Sequence, residues 1–124
     1  MIILDSSILV DHLRGRPEAT AALHDVAYTR RLGASVVTKV EVMRGLGAQE
    51  PHAARHLLTL VRWLPVDELT ADVAAEFARM YWGVQPRMDV ADSIVAATTM
   101  LSDAELWTRN VSRFPMFVDL KAPY

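Results

Sequence analysis

Short apolar runs alternate along the chain with longer segments in which apolar residues recur at helical spacing. The first run, Ile2–Leu4, stops at three consecutive residues that favour helix N-caps, Asp5, Ser6 and Ser7. A buried strand that leads directly into a helix is therefore predicted at the start of the chain. The other runs predict short strands at positions 34–37, 65–66, 105–108 and 117–118.

Helix start and stop signals separate these strands. The first helix is predicted to end at Gly15, and the second to begin at Pro17 and to run to about Tyr28. A Thr-x-x-Glu capping box, formed by Thr38 and Glu41, is predicted to open the third helix.

Three more helices and a final turn follow. Their predicted starts are Pro51 for the fourth, a position near Thr70 for the fifth and Asp89 for the sixth, and a single turn is predicted at 110–114. The apolar stripes that define these helices are Leu57, Leu58, Val61 and Leu64; then Val73, Phe77 and Tyr81; and then Val90, Ile94, Ala97, Thr98 and Leu101.

Strands thus alternate with helices along the whole chain. This order predicts an α/β fold in which a parallel sheet is covered by helices on both faces. The chain has 124 residues and contains no internal repeat, low-complexity stretch or linker. Residues 1–124 are therefore predicted to form one domain.

Composition narrows the functional classes. The chain is 52% hydrophobic and 23% charged, which suits a globular protein with a single core. The absence of cysteine excludes a disulfide scaffold, a thiolate metal site and a cysteine nucleophile, and it fits a reducing cytoplasm. No run approaches the roughly 20 apolar residues of a membrane span, and the start lacks the features of a signal peptide. A cytoplasmic protein without membrane contact is expected.

The polar residues predicted at the carboxyl ends of strands, or at the starts of helices, are mostly acids. Ligands of open α/β sheets bind at that edge. The chain has neither a Gly-x-Gly-x-x-Gly sequence nor a Gly-Lys-Ser/Thr loop, so dinucleotide and nucleoside triphosphate binding are not predicted. The polar residues at this edge are Asp5, Thr38, Glu41, Asp89, Asp92, Thr108 and Asn110.

Carboxylates without cysteine or a histidine pair are suited to Mg²⁺ or Mn²⁺. Such ions can activate a water molecule and stabilise the charge that develops on a phosphodiester. His52 and His56 are four residues apart but lack the glutamate of a zinc hydrolase motif, which favours an exposed helix surface for both. An aspartyl phosphotransferase that uses Asp5 is a weaker hypothesis, because that chemistry usually needs a second acid where this chain has Ser7.

Each candidate acid also has a purely structural interpretation. Capping of the first helix could by itself explain Asp5, a capping box could by itself explain Glu41, and Asp89 has the typical position of an N-cap. Capping of the final turn could by itself explain Asn110. Asp92 is harder to explain in this way, because it shares a helix face with small and apolar residues and is predicted to be partly buried.

Four stretches, in order and at characteristic spacing, carry a family resemblance. They are IILDSS at 2–7, SVVTKVEVMRG at 35–45, DSIVAAT at 92–98 and LWTRN at 106–110, the last followed by Phe114. The chain resembles the PIN-domain ribonucleases, in particular the VapC-like toxins of bacterial and archaeal type II toxin-antitoxin systems. The resemblance covers essentially the whole length and implies a three-layer fold, with a short central parallel sheet flanked by six or seven helices.

The resemblance assigns roles position by position. Asp5, Glu41 and Asp92 match the three main metal-binding acids of the family. Asn110 falls at a fourth and more variable ligand position, where the family has Asp or Asn. Asp89 lies one turn before Asp92 and matches a possible outer ligand.

Other matched positions surround these acids. Ser7 and Thr108 match small polar residues that line the family's site by hydrogen bonding. Arg113 is a departure, because many relatives carry an acid there, and the lower negative charge argues against a tightly bound second metal ion. Arg44, Arg109 and Arg113 all lie next to proposed site residues, and arginine is well suited to bidentate phosphate contacts.

The function implied by the resemblance is that of a metal-dependent endoribonuclease toxin. One or two Mg²⁺ or Mn²⁺ ions would activate a water for in-line attack on RNA. A cognate antitoxin and a homodimer are the implied partners, and the exposed surfaces of the second and fourth helices are candidates for such contacts. The alternative is a catalytically weakened PIN domain that acts as an RNA-binding or protein-binding module. The net charge of −2 argues against a broad basic surface, but it leaves room for a local RNA site completed by metal.

Overall fold

The centre of the fold is a parallel sheet of short strands. The computed structural model describes residues 1–45 and 52–124, and within them four strands lie in the order β3-β2-β1-β4. The strands are β1 (Ile2–Leu4), β2 (Leu32–Ser35), β3 (Val61–Leu64) and β4 (Glu105–Trp107). Because all the pairings are parallel, the carboxyl ends of the strands meet at one edge of the sheet.

Six α-helices and one 3-10 turn connect these strands in the described part of the chain. The helices are α1 (Ser6–Leu13), α2 (Pro17–Ala27), α3 (Val36–Gly45), α4 (His52–Leu58), α5 (Glu68–Met80) and α6 (Val90–Leu101), and the 3-10 turn spans Val111–Arg113. Among these helices, none combines the length and apolar character needed to cross a membrane. The predicted alternation of strands and helices is confirmed.

Side chains of the central strand β1 enter two separate cores. Ile2 and Leu4 pack in one cluster with Leu23 of α2, whereas Ile3 packs in the other with Val95 of α6. Successive residues of a strand point to opposite faces of the sheet, so helices must cover both faces. This arrangement explains the unbroken apolar sequence of β1, and it confirms the predicted three-layer α/β fold.

The third helix begins earlier than its sequence predicts. β2 ends at Ser35 and α3 starts at the next residue, so the predicted strand runs two residues too far. The Ser35 side-chain oxygen accepts a hydrogen bond from the backbone N–H of Val37 at 3.2 Å. The predicted capping box of Thr38 and Glu41 is therefore wrong, because Thr38 already lies inside the helix, where its side chain is fully buried.

Two residues assigned to the fourth helix belong to a strand. The sequence predicts Val61 and Leu64 on the apolar stripe of that helix, but α4 ends at Leu58 and both residues lie in β3. β3 is at the edge of the sheet and only Val61 in it is buried, so its pattern lacks the continuous apolar run of β1. The strand predicted at 65–66 is wrong, because those residues follow β3 without joining the sheet.

The strand predicted at 117–118 is also wrong. The backbone N–H of Phe117 donates to the carbonyl of Phe114 at 3.1 Å, which closes a turn. Val118 is 86% exposed, and Asp119 has a positive φ of 63°. Two adjacent apolar residues in a turn thus imitate the start of a short strand.

The remaining helix boundaries agree closely with the sequence. Gly15 ends the first helical segment with a φ of +81°, α2 begins at Pro17, and α6 begins directly after Asp89. α5 begins two residues before Thr70. The predicted start of the fourth helix at Pro51 lies outside the described residues.

Candidate active site

The predicted acids meet where the carboxyl ends of the two paired strands β1 and β4 face the beginning of α6. Asp5 follows β1 and Asp92 lies in the first turn of α6, and these two residues are only 4% and 8% exposed. Glu41, on α3, is half-buried, and Asp89 is exposed. Burial raises the pKa of Glu41, and the negative charges of Asp5 and Asp89 raise it further. The acids are thus close enough to perturb one another.

Two hydroxyl groups hold the Asp5 carboxylate in place. Oδ2 of Asp5 accepts hydrogen bonds from Ser7 Oγ at 2.9 Å and from Thr108 Oγ1 at 2.7 Å. Thr108 follows β4, whose residue Trp107 pairs with Leu4, so the sheet register itself brings the hydroxyl to the acid. Asp5 occupies the N-cap position of α1, but its side chain makes no capping hydrogen bond to the helix.

The same hydroxyl groups are anchored by backbone N–H groups. The N–H of Arg109 donates to Ser7 Oγ at 3.0 Å, and the N–H of Asn110 donates to Thr108 Oγ1 at 2.9 Å. Because an ionised carboxylate can only accept hydrogen bonds, each hydroxyl donates its proton to Asp5 while its oxygen accepts from the backbone. Ser7 and Thr108 are therefore brought to the acids as the sequence predicts.

Asp89 and Asp92 form a reciprocal cap at the start of α6. Asp89 Oδ1 accepts from the N–H of Asp92 at 2.8 Å, and Asp92 Oδ2 accepts from the N–H of Asp89 at 3.0 Å. The predicted N-cap role of Asp89 and the burial of Asp92 are confirmed. Burial raises the pKa of Asp92 to about 6, and the neighbouring charge of Asp89 acts in the same direction. The negative charge at this site is thus poorly stabilised by the protein alone.

A cleft of about 220 Å³ runs beside the acids between α1 and α3. Ser6 and Glu41 line it near Asp5, and Arg14 and Arg44 line it as well. The Arg44 charge partly offsets the rise in the pKa of Glu41. The sequence analysis missed Arg14, although the i, i+4, i+8 spacing of Ser6, Val10 and Arg14 places it on the same helix face.

The other predicted residues near the acids differ in placement. Arg113 Nη1 lies 3.4 Å from Asp92 Oδ2. The guanidinium of Arg109 instead lies 3.8 Å from Asp11 Oδ2 and 5.0 Å from the ring centre of Tyr124, so Arg109 reaches the site only through its backbone. The side chain of Asn110 is exposed and makes no capping bond to the 3-10 turn.

The donor set fits a hydrated divalent cation better than a closed protein cage. Within residues 1–45 and 52–124, no three His, Cys, Asp or Glu side chains converge as a ready-made metal site. The hydrogen bonds that Ser7 and Thr108 make to Asp5, and those that the Asp89 N–H and Arg113 make to Asp92, all fall on Oδ2, so each acid has a second oxygen for a cation. Mg²⁺ typically binds one or two carboxylates and keeps several waters. The residues present therefore fit Mg²⁺ or Mn²⁺.

Replacing Thr108 by Val is expected to lower any metal-dependent activity by about 10- to 100-fold, as is usual when a hydrogen bond that orients a metal ligand is lost. The valine keeps the shape but removes the 2.7 Å hydrogen bond to Asp5. Thr99→Val is a matched control, because Thr99 is equally buried and its hydroxyl donates to the Val95 carbonyl at 2.8 Å, away from the acids. Rates and melting temperatures of both variants test this; equal losses of activity would contradict a positioning role for Thr108.

A second cleft, of about 250 Å³, lies between α2 and α4. Tyr28, Leu57 and Leu60 line it together with His24 and His56. Tyr28 is largely exposed beside it. The surfaces of α2 and α4, which are the predicted candidates for partner contacts, thus share one largely apolar cleft.

Comparison with known proteins gives a consistent result. The PIN-domain family model matches residues 2–114. The chain is 36% identical over 125 residues to Ribonuclease VapC19 of Mycobacterium tuberculosis, with 100% of both chains covered. It is also 36% identical over 124 residues to Ribonuclease VapC10 of the same organism, covering 100% of this chain and 93% of the relative. A chain in a solved toxin-antitoxin complex from Klebsiella pneumoniae superposes with a TM-score of 0.82 at 27% identity, covering 100% of this chain and 98% of the other.

Proposed function

The chain belongs to the PIN-domain family, and from this premise we propose that it is the endoribonuclease toxin of a toxin-antitoxin pair. The observation that carries the proposal is its full-length similarity to proteins named ribonucleases, together with buried acids at the carboxyl edge of the sheet. We further propose that Asp5, Glu41 and Asp92 hold one or two Mg²⁺ or Mn²⁺ ions. Around them we propose Asp89 as an outer ligand and Asn110 as a fourth, more variable ligand position.

The proposed reaction is hydrolysis of an RNA phosphodiester. A water oxygen forms a bond to phosphorus, the bond from phosphorus to the leaving oxygen breaks, and the leaving oxygen ends protonated at the expense of the water. A bound divalent ion would lower the pKa of the attacking water and stabilise the charge that develops on the phosphate. Ser7 and Thr108 keep the Asp5 carboxylate oriented, and Arg14 and Arg44 supply positive charge along the adjacent cleft.

We also propose the partners that this function requires. A cognate antitoxin is supported by the similarity to a chain in the Klebsiella pneumoniae toxin-antitoxin complex. We also propose a homodimer, which the family resemblance implies, and, from the length and composition of the chain, a single domain over residues 1–124 and a cytoplasmic location. The RNA substrate is bound at the acid edge of the sheet.

Removal of metal gives the direct test. Purified protein is expected to cleave RNA with Mg²⁺ or Mn²⁺, to lose all cleavage when the metal is chelated and to regain it when Mn²⁺ is returned in excess. Gel analysis of a structured RNA and of a single-stranded RNA measures the reaction. Cleavage that persists unchanged in the chelator would contradict the proposed chemistry.

The weakened-domain alternative has one feature in its favour, which is the basic Arg113 beside Asp92. A silent binding module with no metal site should gain no thermal stability from Mn²⁺, since only a ligand that binds the folded state stabilises it. The names of the curated relatives favour the enzyme. Melting curves with and without Mn²⁺ therefore distinguish the two functions before any assay on RNA.

A further inference from the structure

Arg113 is a positive charge that the chain itself places among the acids. Its Nη1 lies 3.4 Å from Asp92 Oδ2 and 3.7 Å from Asp89 Oδ2, so a single nitrogen faces both carboxylates. The ion pairs of Arg16, Arg30, Arg79 and Arg109 are made with other carboxylates, not with the site acids.

The backbone that carries Arg113 is well anchored. Arg113 ends the 3-10 turn, and the next residue, Phe114, is 1% exposed and belongs to the core cluster of Ile3. The backbone N–H of Arg113 donates to the carbonyl of Asn110 at 3.0 Å. Since the N–H of Asn110 is bound in turn to Thr108, the arginine and Asp5 are connected through one short segment.

The guanidinium keeps donors for a second partner. Its side chain is 43% exposed, and only Nη1 lies within ion-pair distance of the acids. Arginine has five N–H donors in a rigid planar group and does not give up its proton, so it can bind a phosphate oxygen while it remains paired. A fixed donor that faces a developing negative charge is a common means of stabilising a transition state.

The charges around the site favour one metal ion over two. Asp5, Glu41, Asp89 and Asp92 are the four acids of the site, and Arg113 offsets one of the two negative charges at the start of α6. A second divalent ion bound between Asp89 and Asp92 would lie beside the guanidinium, where like charges repel. Among the described residues, Arg113 pairs with Asp89 and Asp92 but forms no ion pair with Asp5 or Glu41, so these two acids would keep their charge for a first ion.

We propose that the Arg113 guanidinium takes the place of a second divalent cation, so that the chain binds one metal ion and Arg113 contacts the phosphate to be cleaved. This inference rests on the proposed function and assigns it a metal count and a further catalytic residue. Arg113 transfers no proton. It contributes only charge and hydrogen bonds to a phosphate oxygen, and the bonds made and broken are those of the hydrolysis given above.

Titration of the metal-free protein with Mn²⁺ tests the metal count without RNA. Calorimetry together with the EPR signal of free Mn²⁺ is expected to give one ion per wild-type chain and one for Arg113→Lys, which keeps the charge. Arg113→Glu is expected to gain a second ion, because an acid then replaces the cation beside Asp89 and Asp92. Arg31→Glu makes the same change in charge at an exposed residue directly before β2, at the amino ends of the strands. This variant is expected to bind one Mn²⁺ ion, like the wild type.

Cleavage assays complete the test. At saturating Mn²⁺, Arg113→Gln is expected to cleave about 100-fold more slowly than the wild type, as when one transition-state donor is removed, while its first Mn²⁺ still binds. A rate equal to or above that of the wild type would overturn the catalytic role. Two bound ions per wild-type chain would overturn the proposal that Arg113 takes the place of a second ion, and the proposed function would stand. No ion and no metal-dependent cleavage would instead overturn the proposed function.

Discussion

Replacing Asp5 by Asn is expected to reduce RNA cleavage by at least about 100-fold, because loss of a charged metal ligand removes several kcal/mol of transition-state stabilisation. The fold should survive this change. The amide oxygen of Asn can accept the hydrogen bonds that Ser7 and Thr108 donate to Asp5 Oδ2, and the buried negative charge disappears. The variant should therefore melt no lower than the metal-free wild type.

The matched control is Asp25→Asn, which makes the same chemical change on the exposed surface of α2. It is expected to cleave RNA at the wild-type rate. Initial rates at saturating Mn²⁺ and Mn²⁺ affinity by calorimetry are the two measurements, and Asp5→Asn should also bind Mn²⁺ about 10- to 100-fold more weakly. A folded Asp5→Asn variant with normal cleavage would overturn both the assignment of Asp5 and the proposed function. Because contaminating nucleases would appear equally in both preparations, the comparison also controls for them.

The sequence predicts the site well where strand pairing alone determines position. Asp5 and Thr108 each follow a short apolar run, and parallel neighbours in a sheet end at the same edge. Their contact at 2.7 Å is therefore a consequence of the alternation of strands and helices. The burial of Asp92 is also predictable from the sequence, because the 100° rotation per residue of the helix places it beside apolar and small residues.

Prediction fails where one local pattern fits two structures. The spacing of Leu57, Leu58, Val61 and Leu64 fits a helix stripe, yet Val61 and Leu64 belong to an edge strand whose outer positions need not be apolar. A Thr-x-x-Glu sequence describes a capping box only if the helix begins at the threonine, and α3 begins two residues before Thr38. Such boundaries depend on how far β2 extends along its neighbours.

Side-chain direction after β4 is the other feature that the sequence leaves open. Arg109 lies two residues before the 3-10 turn and Arg113 ends it, and both are close to candidate site residues in sequence. Only Arg113 faces the acids, whereas Arg109 packs against Asp11 and Tyr124 near the end of the chain. The contact with Asp11 joins residues near opposite ends of the chain, and no local pattern predicts it.

The metal-free protein is expected to become less stable as the pH rises from 5 to 7.5. Carboxylates on a typical protein surface do not have this effect. Burial raises the pKa of Asp92 from 3.8 to about 6, so up to about pH 6 the folded state holds a proton that the unfolded chain has released. The stabilisation is fully present below the unfolded pKa and is lost as the pH rises through the folded pKa. Over this window the loss amounts to about 1 kcal/mol, or roughly 4 °C in Tm. The raised pKa of Glu41 acts in the same direction.

Asp92→Asn isolates this effect from the titration of other groups. The difference in Tm between the metal-free variant and the metal-free wild type should shift in favour of the variant as the pH rises from 5 to 7.5. At pH 7.5, Mn²⁺ should make the wild type melt above Asp92→Asn, because the ion binds the ionised acids of the folded wild type. Free Mn²⁺ at 100 times its Kd stabilises the fold by about 2.7 kcal/mol. Asp103→Asn, a change at an exposed position after α6, should leave the pH dependence of Tm unaltered. A constant difference between Asp92→Asn and the wild type across this range would show that the Asp92 carboxyl is not the group that titrates.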